Sequence, residues 1–183
     1  SYMSHSTLLP GSKFPNLVIA NVVDRSNIKF ESENGRAKLI VIYRGGFCPF
    51  CVGTLKSLQA SLSNLDVSGI DLVAISADEA EVAAKSVADH GLTFPVGFGL
   101  NLEQMKSLGT FVSSPTNYIP QSQLFSEPAW FLVNSDGIKY LGYGSAPFSG
   151  RVNVDNLIAG YTWVIQNTKD HPEFKTVILG SYV

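Results

Sequence analysis

Several features are scarce or absent in this 183-residue sequence, and each absence excludes a class of protein. Charged residues make up only 15% of the chain, the formal net charge is −2, and the lysines and arginines are scattered. A surface that binds nucleic acid is therefore not expected. No apolar run approaches the roughly 18 residues that a transmembrane helix needs. We expect neither a nucleic acid nor a membrane among the partners.

Cysteine and histidine are also rare, at two and three residues. A structural zinc site usually takes four such ligands at regular spacing, and the sequence has neither a second cysteine pair nor a histidine cluster. A glycine-rich phosphate-binding loop is absent as well. The sequence therefore predicts a protein that works without a metal or an organic cofactor.

The first residues lack the basic segment followed by an apolar one that forms a secretory signal peptide. Ser1 and Tyr2 precede Met3, and we interpret them as tag residues within a flexible lead over 1–11. These features favour a cytoplasmic protein. The length is typical of one domain with a full hydrophobic core, so we expect a single domain over 1–183.

Both cysteines lie in one motif, Cys48-Pro49-Phe50-Cys51, between a buried strand pattern and a helical pattern. A thiol at a helix N-terminus is stabilised as the thiolate by the unpaired backbone N–H groups and by the helix dipole. Pro49 suits the first helical turn because its φ is fixed and its missing N–H costs nothing there. The two sulfurs share one face of the helix. One can attack a disulfide or a peroxide, and the other can resolve the product as an intramolecular disulfide.

Three other interpretations of this motif are a zinc site, a pair of inert buried thiols and a structural disulfide. The zinc site lacks further ligands, and inert thiols are unusual at a helix start that follows a Gly-Gly turn. A disulfide between residues three apart closes almost no loop and constrains little. The motif therefore favours a redox dithiol.

The pattern along the rest of the chain alternates extended and helical segments. It predicts strands at 38–43, 70–76 and 93–96, hairpins at 16–23/27–30 and 128–133/138–143, and helices at 48–65, 78–89, 101–108 and 153–167. Asp78 and Asn101 are the expected N-caps of the middle two helices. The segment 111–127 is expected to be an irregular loop. This order of elements predicts an α/β sandwich with a mixed sheet.

The sequence resembles the alkyl hydroperoxide reductase/thiol-specific antioxidant family, the peroxiredoxin-related redoxins of the thioredoxin-like fold. The segments that carry the resemblance occur in the family's order and are 43–51, 72–78, 94–96, 128–137 and 150–155. It covers about residues 12 to 168. The resemblance implies a single redoxin domain, built as a three-layer sandwich with helices on both faces of a mixed central sheet. The hairpin at 16–30 would then be an N-terminal extension.

The chain departs from the peroxiredoxin pattern at the residues that activate peroxide. Peroxiredoxins carry Pro-x-x-x-Thr-x-x-Cys with the peroxidatic cysteine last. Aligned on Cys51, this chain has Arg44 in place of the proline and Cys48 in place of the threonine. Peroxiredoxins also place an arginine where this chain has Pro128. Both the threonine and the arginine are therefore missing.

Pro128 resembles the cis-proline that shapes the substrate groove of thioredoxins. The resemblance implies that the Glu127–Pro128 bond is cis and that it lies within contact distance of the dithiol. Thioredoxins also carry a buried aspartate six residues before the first cysteine, and Ile42 occupies that position here. Proton transfer is therefore assigned to Glu127 or to water.

The leading functional hypothesis is a thiol–disulfide oxidoreductase in which Cys48, with an exposed sulfur at the helix start, attacks and Cys51 resolves. Arg44 is either a cation that lowers the thiol pKa or part of a plain salt bridge. One alternative is a two-cysteine peroxidase with Cys51 as the peroxidatic and Cys48 as the resolving cysteine. Another is a non-enzymatic redox sensor.

The expected partners are a protein disulfide, a small-molecule disulfide or a peroxide, together with a thiol that donates electrons. The tail from 171 to 183 is apolar near 176–179. We expect it to pack on the body or on a second subunit, so a homodimer is left open.

Overall fold

The computed structural model describes residues 11–116, 123–135, 140–144 and 152–171, with 140–144 described by their backbone alone. In chain order the elements are β1 (Ala37–Ile42), α1 (Pro49–Ala60), α2 (Leu62–Val67), β2 (Ile70–Ile75), α3 (Ala80–His90), β3 (Val96–Gly97), α4 (Leu102–Leu108), β4 (Val112–Ser113), β5 (Phe125–Ser126), β6 (Ala129–Val133), β7 (Tyr140–Gly144) and α5 (Val154–Asp170). Most of the expected flexible lead and the apolar tail lie outside the described residues. The packing of the tail and the homodimer therefore stay predictions.

The central sheet has five strands in the order β3-β2-β1-β6-β7. β1 pairs in parallel with β2, and β2 with β3, whereas β6 runs antiparallel to both β1 and β7. The short strands β4 and β5 form a separate antiparallel pair. The predicted α/β sandwich with a mixed sheet is confirmed.

β1 is the centre of the fold because both of its faces are covered. Leu39 and Val41 contribute to one hydrophobic cluster, and Ile40 and Ile42 contribute to the other. This alternation follows from the two-residue period of a strand. A strand buried on both faces appears in the sequence as a continuous apolar run, which is why the pattern predicted its position well.

The chain reverses its direction where the N-terminal hairpin was predicted, but the described residues there form isolated bridges and no regular strand. Ala20 and Asn27 form one antiparallel bridge, and the Asn21 N–H donates to the Ser26 carbonyl at 2.8 Å. Asn21 also forms a bridge with Gly97 at the end of β3. This segment therefore pairs with the edge of the main sheet. The same backbone groups are then not available to lengthen the hairpin.

The first predicted helix is divided in two at Ser61, whose φ and ψ are −93° and 1°. The apolar spacing continues through this break because Leu58 of α1 and Leu65 of α2 both belong to the same core cluster. The predicted N-cap of the helix at 101–108 is confirmed. Asn101 forms a capping box with Gln104, and Asn153 caps α5. Among the described residues, no helix is long and apolar enough to cross a membrane.

The topology places three connections at one edge of the sheet. β1 and β2 are parallel, so the segments that follow them emerge at the same edge. β6 is antiparallel to β1 and Ala129 pairs with Ile42, so the segment that precedes β6 starts at that edge as well. This edge collects the residues 43–48, 76–78 and 127–128.

Candidate active site

Cys48 is the N-cap residue of α1, and Pro49 occupies the first helical turn. The Cys51 backbone N–H donates to the Cys48 Sγ at 3.4 Å. Both cysteines are free thiols. One of the otherwise unpaired N–H groups of the helix start is therefore satisfied by the sulfur itself.

The two thiols are more buried than we expected. The exposed fraction of Cys48 is 1% and that of Cys51 is 0%. The prediction of an exposed Cys48 sulfur is therefore wrong. Arg44 is next to this thiol, with its Nη1 3.9 Å from the Cys48 Sγ.

Arg44 packs against two aromatic rings. Its guanidinium carbon lies 5.4 Å from the ring centre of Phe47 and 5.2 Å from that of Phe125. The two rings pack edge to face, with centroids 5.2 Å apart. Cation–π contacts of this kind orient a guanidinium without neutralising its charge. Arg44 is thus a fixed cation beside the thiol.

Glu127 is the anionic partner of Arg44. Its Oε2 lies 3.0 Å from the Arg44 Nε, and its Oε1 accepts a hydrogen bond from the Ser113 hydroxyl at 2.7 Å. Only 5% of Glu127 is exposed. The carboxylate therefore contacts Nε, a different guanidinium nitrogen from the Nη1 that lies near the sulfur.

These contacts hold the pKa of the Cys48 thiol at about 5. The hydrogen bond from the Cys51 side chain is the largest cause, and burial acts against it. The Cys51 backbone N–H and the hydrogen bond and charge of Arg44 lower the pKa further. Arg44 therefore contacts the thiol and forms a salt bridge at the same time, although the sequence analysis treated these as alternatives.

The Glu127–Pro128 peptide bond is trans, because the described chain contains no cis peptide bond. The cis prediction was wrong. The Glu127 N–H donates to the Phe111 carbonyl at 2.8 Å, and Ala129 already pairs with Ile42 in the sheet. Pro128 is thus part of an extended connection between two paired segments. The argument for a thioredoxin-type groove loses its basis, and the predicted contact between Pro128 and the dithiol stays a prediction.

Asp78 is the residue at this edge whose role differs from the one its sequence position predicts. It was expected to cap α3, but Glu79 is the N-cap residue and makes no side-chain cap. Asp78 is instead buried, and its Oδ2 accepts a hydrogen bond from the Gly46 N–H at 2.8 Å. The strand order could have indicated this position, because β1 and β2 are parallel. Asp78 follows β2 at the same edge of the sheet at which the dithiol follows β1.

A family model described as the AhpC/TSA family matches residues 10–139. Two curated relatives, a putative peroxiredoxin from each of two strains of Mycobacterium tuberculosis, are 26% identical over 104 residues. The matched segment covers 57% of this chain and 66% of each relative, slightly less than two thirds.

Several solved structures have the same fold as this chain. A peroxiredoxin-like protein from Aquifex aeolicus has a TM-score of 0.66 at 13% identity, over 86% of this chain and 88% of that one. Peroxidoxin BcpB from Mycobacterium tuberculosis has a TM-score of 0.69 at 13% identity, over 86% and 98%. Reduced Prx3 in complex with hydrogen peroxide from Vibrio vulnificus has a TM-score of 0.68 at 15% identity, over 85% and 99%. The fold is thus the thioredoxin-like fold of the peroxiredoxins.

Proposed function

We propose that this chain, which belongs to the AhpC/TSA family, is a thiol oxidoreductase in which Cys48 attacks the oxidant and Cys51 resolves the product. The environment of Cys48 supports this assignment. A thiol with a pKa of about 5 is about 99% thiolate at pH 7, whereas a free cysteine with a pKa near 8.5 is only about 3% thiolate. The thiolate is the nucleophile in thiol chemistry.

These roles are the reverse of those in the peroxidase alternative, in which Cys51 attacks. Cys51 is fully buried, and its thiol and its backbone N–H both stabilise the negative charge on Cys48. A thiol that donates a hydrogen bond to a thiolate is still protonated, and the protonated thiol is not the nucleophile. Cys51 therefore reacts second. Cys48 is therefore the first to meet the oxidant.

A hydroperoxide is the oxidant that fits this site best. A cysteine that is only 1% exposed is difficult for a protein disulfide to reach, because exchange requires three sulfurs to line up. A peroxide is small enough to approach such a sulfur. The trans Glu127–Pro128 bond also removes the reason to expect a bound peptide beside the dithiol.

The proposed reaction consumes one peroxide and two electrons from the dithiol. The Cys48 thiolate attacks one peroxide oxygen, the O–O bond breaks, and the departing oxygen takes a proton to leave as water or an alcohol. The Cys51 thiol then loses its proton, and its sulfur attacks the Cys48 sulfenic acid. A disulfide forms and water is released. Two equivalents of an external thiol reduce this disulfide, so a thiol donor is the second substrate.

Arg44 supplies the guanidinium that the family pattern would place at position 128. It comes from the segment after β1 instead, and it lies 3.9 Å from the attacking sulfur. A fixed cation there stabilises both the thiolate and the negative charge that develops on the departing oxygen. Glu127 keeps the guanidinium in place through their ion pair.

Thiol–disulfide exchange through the same pair is the second candidate function. The observation in its favour is the Cys-x-x-Cys motif with its first cysteine as the helix N-cap, the arrangement typical of disulfide oxidoreductases. A low-pKa thiolate is the attacking species in both reactions, so only turnover distinguishes them.

Two assays on the same preparations test the proposal. The first follows peroxide consumption with dithiothreitol as donor, and the second follows reduction of insulin disulfides by dithiothreitol. We expect the wild-type protein to consume many equivalents of peroxide and to accelerate insulin reduction little. The reverse result would favour the second candidate, and turnover in neither assay would favour a redox sensor.

Two matched variants test the roles of the cysteines. Without an external thiol, Cys51→Ser should consume one equivalent of peroxide and leave a sulfenic acid on Cys48 that dimedone traps, because no resolving thiol remains. Cys48→Ser should lose peroxide consumption. Formation of a sulfenic acid on Cys51 in the Cys48→Ser protein, at the wild-type rate of oxidation, would contradict the assignment.

A further inference from the structure

Asp78 is a buried carboxylate that the proposed reaction does not use. Its exposed fraction is 1%, and it lies just beyond the end of β2. Burial of a carboxylate is unfavourable unless hydrogen bonds replace its water. Here the Oδ2 accepts the Gly46 N–H at 2.8 Å, and a hydrogen bond to a charged acceptor is among the stronger ones. The carboxylate thus connects β2 to the turn that precedes the dithiol.

The Gly45–Gly46 turn is shaped around this carboxylate. A Cβ on Gly45 would lie 2.6 Å from the Asp78 Oδ1, and one on Gly46 would lie 2.9 Å from the Ser86 Oγ. Only glycine leaves room for the carboxylate to approach this closely. The Cys48 N–H donates to the Gly45 carbonyl at 3.2 Å, so the turn leads directly into the N-cap. A shift of the turn would therefore move the Cys48 sulfur.

We propose that Asp78 is a positioning residue that anchors the Gly45–Gly46 turn and thereby places the Cys48 Sγ beside the guanidinium of Arg44. The two sides of that contact are attached to different parts of the fold. Arg44 is held by Glu127 ahead of β6, whereas the sulfur is attached to α1. The turn between them determines the distance from guanidinium to sulfur. The inference deepens the proposed function and rests on Cys48 as the attacking thiol.

A direct charge effect of Asp78 on Cys48 and the loss of its hydrogen bond to Gly46 would change the Cys48 pKa in opposite directions. A nearby carboxylate disfavours a thiolate, so removal of its charge alone lowers the pKa of Cys48. Loss of the anchor separates the sulfur from Arg44 and raises that pKa. Asp78→Asn removes the charge but keeps an oxygen that accepts the Gly46 N–H, whereas Asp78→Ala removes both. The two variants therefore separate a positioning role from a simple electrostatic one.

The experiment measures the pH dependence of Cys48 alkylation by iodoacetamide, with every variant in a Cys51→Ser background so that one thiol reacts. Asp78→Ala should raise the apparent pKa of Cys48 by one unit or more, and Asp78→Asn should restore it to the parental value or below. Ser86→Ala is the matched control, because Ser86 lies against the same turn without a described hydrogen bond to it, and it should leave the pKa unchanged. A lowered or unchanged pKa in Asp78→Ala overturns the proposal.

Other ionisable groups on the segments that form this edge, within the described part of the chain, include Tyr43, Arg44, Cys51, Glu79 and Glu127. Burial raises the pKa of Tyr43, so its phenol stays neutral over the pH range of the measurement. Cys51 is replaced in every variant, and Arg44, Glu79 and Glu127 are common to all of them. A difference between the variants therefore reports on Asp78.

Alkylation needs neither an oxidant nor turnover, so its outcome is independent of whether a peroxide is the substrate. If Asp78→Ala does not fold, as judged by circular dichroism, amide hydrogen exchange at Gly46 tests the anchor in the parental and Asp78→Asn proteins. A protected Gly46 amide in both supports the proposal. If the Gly46 amide of the parental protein exchanges its hydrogen as fast as an amide in an unstructured chain, the proposal is overturned.

Discussion

Arg44 and Glu127 act as a unit at the level of single residues. Each is almost completely buried, and their charges lie 3.0 Å apart. Removal of one member of a buried ion pair leaves an uncompensated charge, which costs about 3–5 kcal/mol. The other effect of Arg44, on the Cys48 thiolate, does not require Glu127 to be charged. Stability and reactivity therefore respond differently to the two side chains.

We predict that Arg44→Met raises the pKa of Cys48 and lowers the free energy of unfolding by about 3–5 kcal/mol. In the double variant Arg44→Met/Glu127→Gln most of the stability should return, because no buried charge is left unpaired, whereas the Cys48 pKa should stay raised. Urea unfolding and the pH profile of alkylation measure the two quantities. Recovery of the low pKa in the double variant would show that Arg44 does not stabilise the thiolate.

α1 has a second feature besides its N-terminal dithiol, which is an exposed glycine in its interior. A Cβ added at Gly53 would meet nothing within 4 Å, and the same is true of Gly160 in α5. Glycine lowers the stability of a helix interior because it gains more backbone freedom on unfolding than alanine does. Both positions can therefore accept alanine without a clash.

We predict that Gly53→Ala raises the free energy of unfolding by about 0.5–1 kcal/mol and leaves the alkylation rate of Cys48 unchanged. Gly160→Ala is the matched control, with a similar gain at a site remote in sequence from the dithiol. Urea unfolding and alkylation kinetics measure both effects. Slower alkylation in Gly53→Ala alone would mean that the reaction requires opening of the first turns of α1.

The elements predicted well are those whose own residues carry the signal, as an apolar run or as an N-cap residue. β1, β2 and β6 are apolar runs that pack on both faces, and α4 and α5 begin at asparagine caps. The elements predicted poorly depend on what lies beside them. The N-terminal hairpin pairs with Gly97 of β3, and the segment 111–127 contributes β4 and β5, a pairing that no local pattern indicates.

The thiolate makes the stability of the whole molecule depend on pH. In the unfolded chain Cys48 keeps its proton up to a pH of about 8.5, whereas in the folded protein it loses the proton near a pKa of about 5. Between these values the unfolded state binds more protons, so the free energy of unfolding rises with pH. The contribution is complete above the unfolded pKa and is lost as the pH falls through about 5.

We predict that the stability difference between the reduced wild-type protein and Cys48→Ser increases from pH 5.5 to 7.5 by up to about 1.4 kcal/mol per unit. Serine does not ionise in this range, and the remaining titratable groups are common to both proteins, so the difference isolates Cys48. Urea unfolding in the presence of a phosphine reductant measures it. A difference that stays constant across this range would show that the thiolate is not stabilised by the fold.

The sequence by itself determined the local chemistry of the dithiol. Cys48 and Cys51 are three residues apart, Pro49 starts a helix, and a buried strand precedes them, so the N-cap position and the contact between Cys51 N–H and sulfur follow from chain-local geometry. The mixed sheet follows likewise from the order of the apolar and helical segments. No long-range information is needed for these features.

Only the tertiary structure decided the environment of that dithiol. Arg44 pairs with Glu127, and Asp78 bonds to Gly46. These distant segments come together because β1 and β2 are parallel while β6 is antiparallel. In the folded protein Cys48 is buried, the Glu127–Pro128 bond is trans, and Asp78 bonds to Gly46 instead of capping α3. The energies of buried charges and hydrogen bonds depend on neighbours from distant segments, so a local pattern does not contain them.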